Sequence, residues 1–270
     1  MAFLTNALTL LPATSILVLL TVFAVGALIE RTAPVETPQP IAKLRVNVGY
    51  VFFVEFIKHQ LDPIVGAAAL TIVGAFGGGL IALSDEGWAA AGSAVVFFLA
   101  IDFVDYLWHR AQHAVPLLWA MHSLHHSDPA INVTTSTRHF WLEGPMRAML
   151  VYPLVGILFQ VPPAILLIYG LCKLQDFVQH LNLKLDFGPL WPVLCSPQYH
   201  RIHHSTRPDH YNRNFAHFLP LFDIIFGTHY RPLPGEYPPT GLDSGEVPNL
   251  LGAILWPLRR LLRFVPETRA

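Results

Sequence analysis

Twenty-three consecutive residues without a charge, ALTLLPATSILVLLTVFAVGALI (Ala7 to Ile29), set the first limit on what this chain can fold into. As a helix, a stretch of that length crosses about 30 Å of hydrocarbon. Within lipid only a helix or a closed barrel can satisfy its own backbone. No charged segment precedes the stretch and no small-residue cleavage site is evident, so it is expected to persist as a transmembrane helix rather than be removed as a signal peptide. The whole chain agrees: it is 53% hydrophobic and 13% charged, with a mean hydropathy of +0.45, well above an ordinary soluble domain.

Three more apolar regions follow. Val46 to Leu83 is interrupted by Glu55, Lys58, His59 and Asp62, and reads either as a tilted span after an amphipathic piece or as one longer helix kinked through Pro63. Trp88 to Trp108 is a third span. Met146 to Gln179 is split by Pro162-Pro163 into halves short for a full crossing, which predicts a helical hairpin that dips in and returns. Arg31, Lys43, Arg45 and Lys58 lie between the first two spans, whereas Ser84 to Gly87 carries only Asp85 and Glu86. Positive-inside counting puts the first loop in the cytoplasm. Parity then brings the end of the third span, at His109, and the end of the hairpin, at His180, to that same face.

What gathers at that face is histidine. The chain holds 14, and eight fall into tight groups: His109 and His113; His122, His125 and His126; His200, His203 and His204. Residues three and four apart share a helical face, so each group is expected to aim its imidazoles at one point. His180, in FVQHLNLKLDFG, is the natural ninth. Nine ligands are too many for one ion and suit two. Imidazole favours iron, zinc, copper or nickel. The His-Glu-x-x-His pattern of zinc hydrolases and the Glu-x-x-His pairs of carboxylate-bridged bundles are both absent from the sequence. A histidine-rich metal pair at a membrane surface fits oxygen-dependent oxidation best.

Carboxylates are expected behind the ligands. Asp105 lies one turn before His109 and could accept its free ring N–H; Asp128 and Asp176 are candidates for the same task. His59, His139, His210, His217 and His229 lack grouped spacing and read as interfacial. Cys172 and Cys195, the only cysteines, cannot hold an iron–sulfur cluster or an all-cysteine zinc site. A net charge of −1 leaves no basic footprint for nucleic acid. The proline-rich run Arg231 to Pro248 reads as a wrapping segment, and NLLGAILWPLRRLLRF after it as an amphipathic basic helix on the cytoplasmic leaflet.

DYLWHRAQH (Asp105 to His113), LWAMHSLHHSDPAINVTTSTR (Leu118 to Arg138), QHLNL (Gln179 to Leu183), YHRIHH (Tyr199 to His204) and FDIIFGTHY (Phe222 to Tyr230) together resemble the fatty acid hydroxylase / sterol desaturase superfamily of membrane di-metal oxygenases. The resemblance runs from about Arg45 to Tyr230. It implies an all-α integral membrane fold of about four transmembrane or hairpin helices with a cytoplasmic helical cap. It also implies two metals, normally iron with zinc as a possible substitute, held by His109, His113, His122, His125, His126, His180, His200, His203 and His204. No catalytic side chain apart from these ligands is assigned. Two departures stand out: Asp176 where some relatives carry a further histidine, and Phe140, beside His139, where many place one. A carboxylate or water is therefore expected to complete the shell.

The chain divides accordingly into an N-terminal transmembrane helix and loop (1–44), the catalytic domain (45–230), and the proline-rich segment with its C-terminal helix (231–270). The expected activity is O2-dependent hydroxylation, or alternatively desaturation, of a lipid C–H bond. No nicotinamide, flavin or haem-binding module is visible, so electrons are expected from a separate cytochrome b5-like protein, ferredoxin or reductase. The competing classes are a membrane haem protein and a transition-metal carrier. The first needs isolated histidines inside spans, and the second needs polar ligands along a path through the bilayer.

Overall fold

The computed structural model describes residues 12–263 apart from 244, 246 and 248. Ala7 to Leu11 of the first apolar stretch, three residues of the proline-rich run, and Phe264 onward lie outside the described residues. In chain order the helices are α1 (Pro12–Glu30), α2 (Ile41–Ala75), α3 (Gly87–Ala114), α4 (Pro116–His126), α5 (Glu143–Leu158), α6 (Pro163–Cys172), α7 (Gln175–Gln179), α8 (Pro197–His203), α9 (Leu221–Ile225), α10 (Leu250–Ile254) and α11 (Trp256–Arg263). Strand is confined to a two-residue parallel pair among the described residues, β1 (Ile81–Ala82) beside β2 (Phe159–Gln160).

The molecule turns many apolar side chains outward and buries many polar ones. Leu17 and Leu28 on α1, Phe52, Phe56 and Ile64 on α2, Val95 and Leu107 on α3, Leu150 on α5 and Leu167 on α6 all face outward. The interior holds aspartate, glutamate, asparagine, arginine and most of the histidines beside apolar clusters such as those around Tyr50 and Phe97. Contiguous outward apolar helix faces around a polar interior belong against lipid. Among the described residues, α1 (from Ala13) and α3 are long and apolar enough to cross a membrane.

Helix α2 runs unbroken for 35 residues through Pro63, so the longer of the two sequence readings of that region holds. The fourth apolar region is indeed a hairpin: α5 runs to the β1–β2 end, the chain turns at Pro162-Pro163, and α6 returns. At the turn, Gly79 N–H donates to the Gly156 carbonyl at 2.9 Å, tying the α2–α3 loop to the far end of α5. The expected C-terminal helix is two short helices broken at Leu255. Trp256 is buried with Met121 and Leu124 of α4 and donates its indole N–H to Ser123 Oγ at 3.0 Å. That segment is thus docked on the histidine-bearing helix through a buried aromatic whose N–H finds a partner.

Helices α2 and α5 pack closely where side chains are smallest. A Cβ on Gly156 would lie 2.7 Å from Val73 Cγ2, too close without displacing one helix. Gly156→Ala should therefore destabilise the protein by about 1–3 kcal/mol, read as a lower thermal midpoint in detergent. Adding Val73→Ala should recover most of the loss. An unchanged midpoint in the single variant would contradict this helix contact.

Candidate metal centre

Local sequence sets up the site by breaking helices in the right places. Pro116 forces Val115 into an extended conformation (φ −93°, ψ 119°), which stops α3 and lets α4 start with proline at its first position. The chain folds back there, and His109 and His113 meet His122 and His126. Ser196 caps α8 by accepting the Tyr199 N–H at 3.1 Å, with Pro197 opening the helix that carries His200 and His203. His180 is the residue at which α7 ends, and His204 ends α8.

All nine histidines come together, and they form two sets. One is His109, His113, His122, His126 and His203; the other is His125, His180, His200 and His204; within each set the ligand atoms lie within 4.8 Å of one another. The triplets do not act as units, contrary to the reading of each as one face. A helix turns about 100° per residue, so positions i and i+4 diverge by about 40° while i+3 lies about 60° to the other side. Each triplet therefore sends its outer pair to one set and its middle member to the other. His125 crosses to the second set, and His203 to the first.

The nitrogen chemistry is what a cation requires. His109 Nδ1 lies 2.7 Å from the Phe215 carbonyl, His203 Nδ1 2.9 Å from the Arg213 carbonyl, and His180 Nδ1 2.5 Å from the Asp176 carbonyl. A carbonyl oxygen only accepts, so each Nδ1 carries the hydrogen and each Nε2 presents a lone pair. His122 Nδ1 faces the Glu143 carboxylate at 3.1 Å, with the same result. His109 Nε2 and His122 Nε2 thus direct two lone pairs at each other across 3.1 Å. In the second set His180 Nε2 lies 3.1 Å from His125 Nε2 and 3.0 Å from His200 Nε2, which is 3.0 Å from His204 Nε2. Cis nitrogens held about 2.1 Å from a shared metal ion are separated by about 3 Å. Both nitrogens of His126 and Nε2 of His203 are buried with no hydrogen-bond partner, an expensive state that a metal ion would relieve at one nitrogen of each ring. The donor set fits two metal ions.

None of the nine is more than 3% exposed. Burial pushes His180 and His203 down to about 3, and holds His125, His126, His200 and His204 well below the usual imidazole range. At neutral pH these rings are uncharged, which is the form that binds metal.

The three aspartates expected behind the ligands are engaged elsewhere. Asp105 takes the Arg147 guanidinium, with Lys173 at 3.7 Å, because a carboxylate in an apolar span is held most strongly by a cation. His109 turns to the Phe215 carbonyl instead. Asp128 bonds Gln39, Asn47 and Thr135 and sits 3.5 Å from Arg138, fastening the loop after α4 onto α2. The Asp176 carboxylate pairs with Lys173 at 2.8 Å and faces His217 at 3.4 Å; only its main-chain carbonyl meets His180. It does not complete the shell.

The carboxylate that does support a ligand is Glu143. It accepts from Gln112 Nε2 at 2.6 Å and the Phe140 N–H at 2.9 Å, besides His122, and lies 3.3 Å from His139 Nδ1. Burial alone would raise its pKa, but the His122 and His139 hydrogen bonds overcome that and hold it at about 2. His139 stacks on His125 with ring centres 4.2 Å apart, and His217 lies 4.9 Å from the His109 ring. Neither has grouped spacing with the other histidines; the available signal was the four-residue step from His139 to Glu143. Phe140, in contrast, is buried in the apolar cluster around Tyr50 and Met121.

A cavity of about 570 Å³ opens beside the first set. His122, His139, Glu143 and His217 form its inner wall, and Val18, Leu19, Val51, Val54 and Trp141 line the approach between α1 and α2. At that approach Ser15 Oγ donates to Glu55 at 2.7 Å, and Glu55 pairs with Lys58 at 2.7 Å.

Comparison with known proteins bears on the same region. The family described as fatty acid hydroxylase matches residues 94–228, half of the chain and all nine histidines. Alkylglycerol monooxygenase of Xenopus tropicalis is 34% identical over 132 residues, which are 48% of this chain and 29% of that protein. The alkylglycerol monooxygenase of Homo sapiens is similar to the same degree, 34% over 132 residues, again 29% of its length. Ornithine lipid hydroxylase OlsE of Rhizobium tropici is 25% identical over 173 residues, 64% of this chain and 52% of that protein. The matched stretch thus spans under a third of the alkylglycerol monooxygenases. No solved structure matches the chain.

Glu143→Gln should weaken metal retention about 10–100-fold, measured by competition with a chelator, because His122 loses its anionic anchor. Asp105→Asn should lower thermal stability through Arg147 with far less effect on metal affinity. Equal metal loss in both variants would contradict the separate roles assigned to these carboxylates.

Proposed function

This chain belongs to the fatty acid hydroxylase family, and on that premise we propose that it is a membrane-bound, di-iron, O2-dependent lipid hydroxylase. The observation that carries the reading is the pair of converging imidazole sets beside a cavity whose wall includes Val18 and Leu19 of α1 and Val51 and Val54 of α2, with charged groups such as Asp105, Arg147 and Lys173 deeper in its lining. His109, His113, His122, His126 and His203 would hold one iron, and His125, His180, His200 and His204 the other. Zinc would compete for the same sites. The chemistry supplied when iron is bound is reduction of O2 and oxidation of a C–H bond, with one oxygen atom entering the lipid and the other leaving as water.

The protein's own part is positioning and exclusion. A hydrocarbon chain entering between α1 and α2 meets Val18, Leu19, Val51 and Val54 and ends against His122 and His139. Burial of all nine imidazoles keeps bulk water from that end. Glu143, held by Gln112 and the Phe140 N–H, fixes which His122 nitrogen faces the metal. A lipid bearing an alkyl or acyl chain beside a polar head is the substrate class that suits both the cavity and the names of the relatives. Electrons come from an external cytochrome b5-like protein, ferredoxin or reductase.

The arrangement in the bilayer that supports this chemistry is multi-pass. Helices α1, α2 and α3 span it, the α5–α6 hairpin forms a fourth membrane element, and the histidine-bearing segments form a cytoplasmic cap. Residues 45–230 constitute the catalytic domain, flanked by 1–44 and 231–270.

Metal analysis should give two ions per chain, and His125→Ala and His203→Ala should each lose metal and activity, since each triplet's middle member serves the opposite set. Supplied with labelled O2 and host lipids, the iron-loaded protein should place label in a lipid alcohol. Label found only in water beside a new double bond would assign desaturation, and full activity in both variants would overturn the site. A cysteine at Asp85 should react only from the non-cytoplasmic side; labelling from the cytoplasm would overturn the orientation.

A further inference from the structure

The segment FDIIFGTHY (Phe222 to Tyr230) contributes nothing to the nine ligands, yet it holds a continuous line of groups from the surface to the site. At the outer end, exposed Arg231 lies over the Trp191 ring, with Cζ 4.6 Å from its centre. Leu190 and Val193 beside Trp191 are also exposed. Trp191 stacks on His229 with ring centres 5.3 Å apart and planes 19° from parallel. The other face of the line continues to Tyr199, whose ring centre lies 5.7 Å from that of His229 at 21°.

From Tyr199 there are two ways inward. Its backbone is bonded directly to His200 of the second set. Its hydroxyl donates to Asp223 Oδ2 at 2.8 Å; Asp223 Oδ1 accepts the Phe215 N–H at 2.9 Å; and the Phe215 carbonyl accepts His109 Nδ1–H at 2.7 Å. Asp223 is fully buried and further fixed by the Ala216 N–H at 2.8 Å and the Thr228 hydroxyl at 2.6 Å. The second aromatic line at the site, Phe226, Tyr106 and Phe215, has phenylalanine at both ends, a side chain too hard to oxidise to carry charge. Only the first line has an oxidisable ring at each end and a proton acceptor on the inner one.

We propose that Trp191, His229 and Tyr199 form the route by which single electrons reach the histidine site from a one-electron redox protein docked at Arg231. With O2 as the terminal oxidant at the iron-loaded site, Tyr199 gives one electron to the site while its hydroxyl proton passes along the hydrogen bond to Asp223. Trp191 refills Tyr199 through the intervening His229 ring, and the proton returns from Asp223. The external donor then refills Trp191, so one electron crosses and no group of the protein is left changed. This rests on the redox reading of the site, and the experiment separates the two.

A ruthenium photo-oxidant attached through Arg231→Cys removes one electron from the outer end after a flash. In the zinc-loaded protein, where the metal cannot respond, a tyrosyl radical should appear by electron paramagnetic resonance and should vanish in Tyr199→Phe. Trp191→Phe, at the periphery and remote from every ligand, should abolish the same signal with zinc content unchanged. In the ferrous protein the flash should oxidise iron in place of leaving the tyrosyl radical, and both variants should prevent it. A radical confined to Trp191, or a tyrosyl signal that survives Trp191→Phe, overturns the route. Since the zinc-loaded arm needs neither O2 nor lipid, a failed hydroxylase assay would leave its outcome intact.

Discussion

Two imidazole nitrogens that both present lone pairs across 3.1 Å, as His109 and His122 do, repel each other unless a cation lies between them. The structure commits to that arrangement through the other side of each ring. Phe215, Arg213 and Asp176 offer carbonyl oxygens and Glu143 a carboxylate, all acceptors, so the Nε2 lone pairs are aimed inward. Burial then removes water as a substitute and disfavours protonation. A site of this kind is costly to assemble empty, so on the proposed reading metal binding would contribute to stability as well as to chemistry.

The rest of the fold serves that centre. Apolar faces turned to lipid leave the polar groups nowhere to go but inward, where each needs a partner. Asp105 with Arg147, Asp128 with Arg138 and Asn47, and Asp223 with Tyr199 and two backbone N–H groups are such partnerships, each joining segments distant in sequence. Glu30 does the same for the loops at Val133 and Asn182. A half-satisfied network of this sort is worse than an apolar core, so these carboxylates are fastenings for the elements that carry histidine. They are not spare ligands.

Much of this was legible in the residues. The spacing of the histidines marked eight members of the two sets, with ungrouped His180 taken as the ninth; the charge-free stretch marked α1, and Pro162-Pro163 the hairpin. What was missed has physical causes. Treating a triplet as one face ignored the roughly 100° that separates i+3 from i+4 on a helix, so the exchange of His125 and His203 was not foreseen. Asp105 lies one turn from His109 in sequence, but Arg147, on another helix, outcompetes the imidazole for it. His217 reaches the site through tertiary folding with no local period to mark it, and Glu143 had only its four-residue step from His139 as a signal. The docking of Trp256 on α4 was not foreseen because its partner lies more than a hundred residues away.

The central claim is that five histidines hold one metal and four the other, with each triplet divided between them. Mössbauer spectroscopy of protein reconstituted with isotope-enriched iron addresses it directly. Two inequivalent ferrous signals of equal area are expected, with His203→Ala altering one and His200→Ala the other. A single signal, or two signals that both variants change alike, would contradict the divided arrangement.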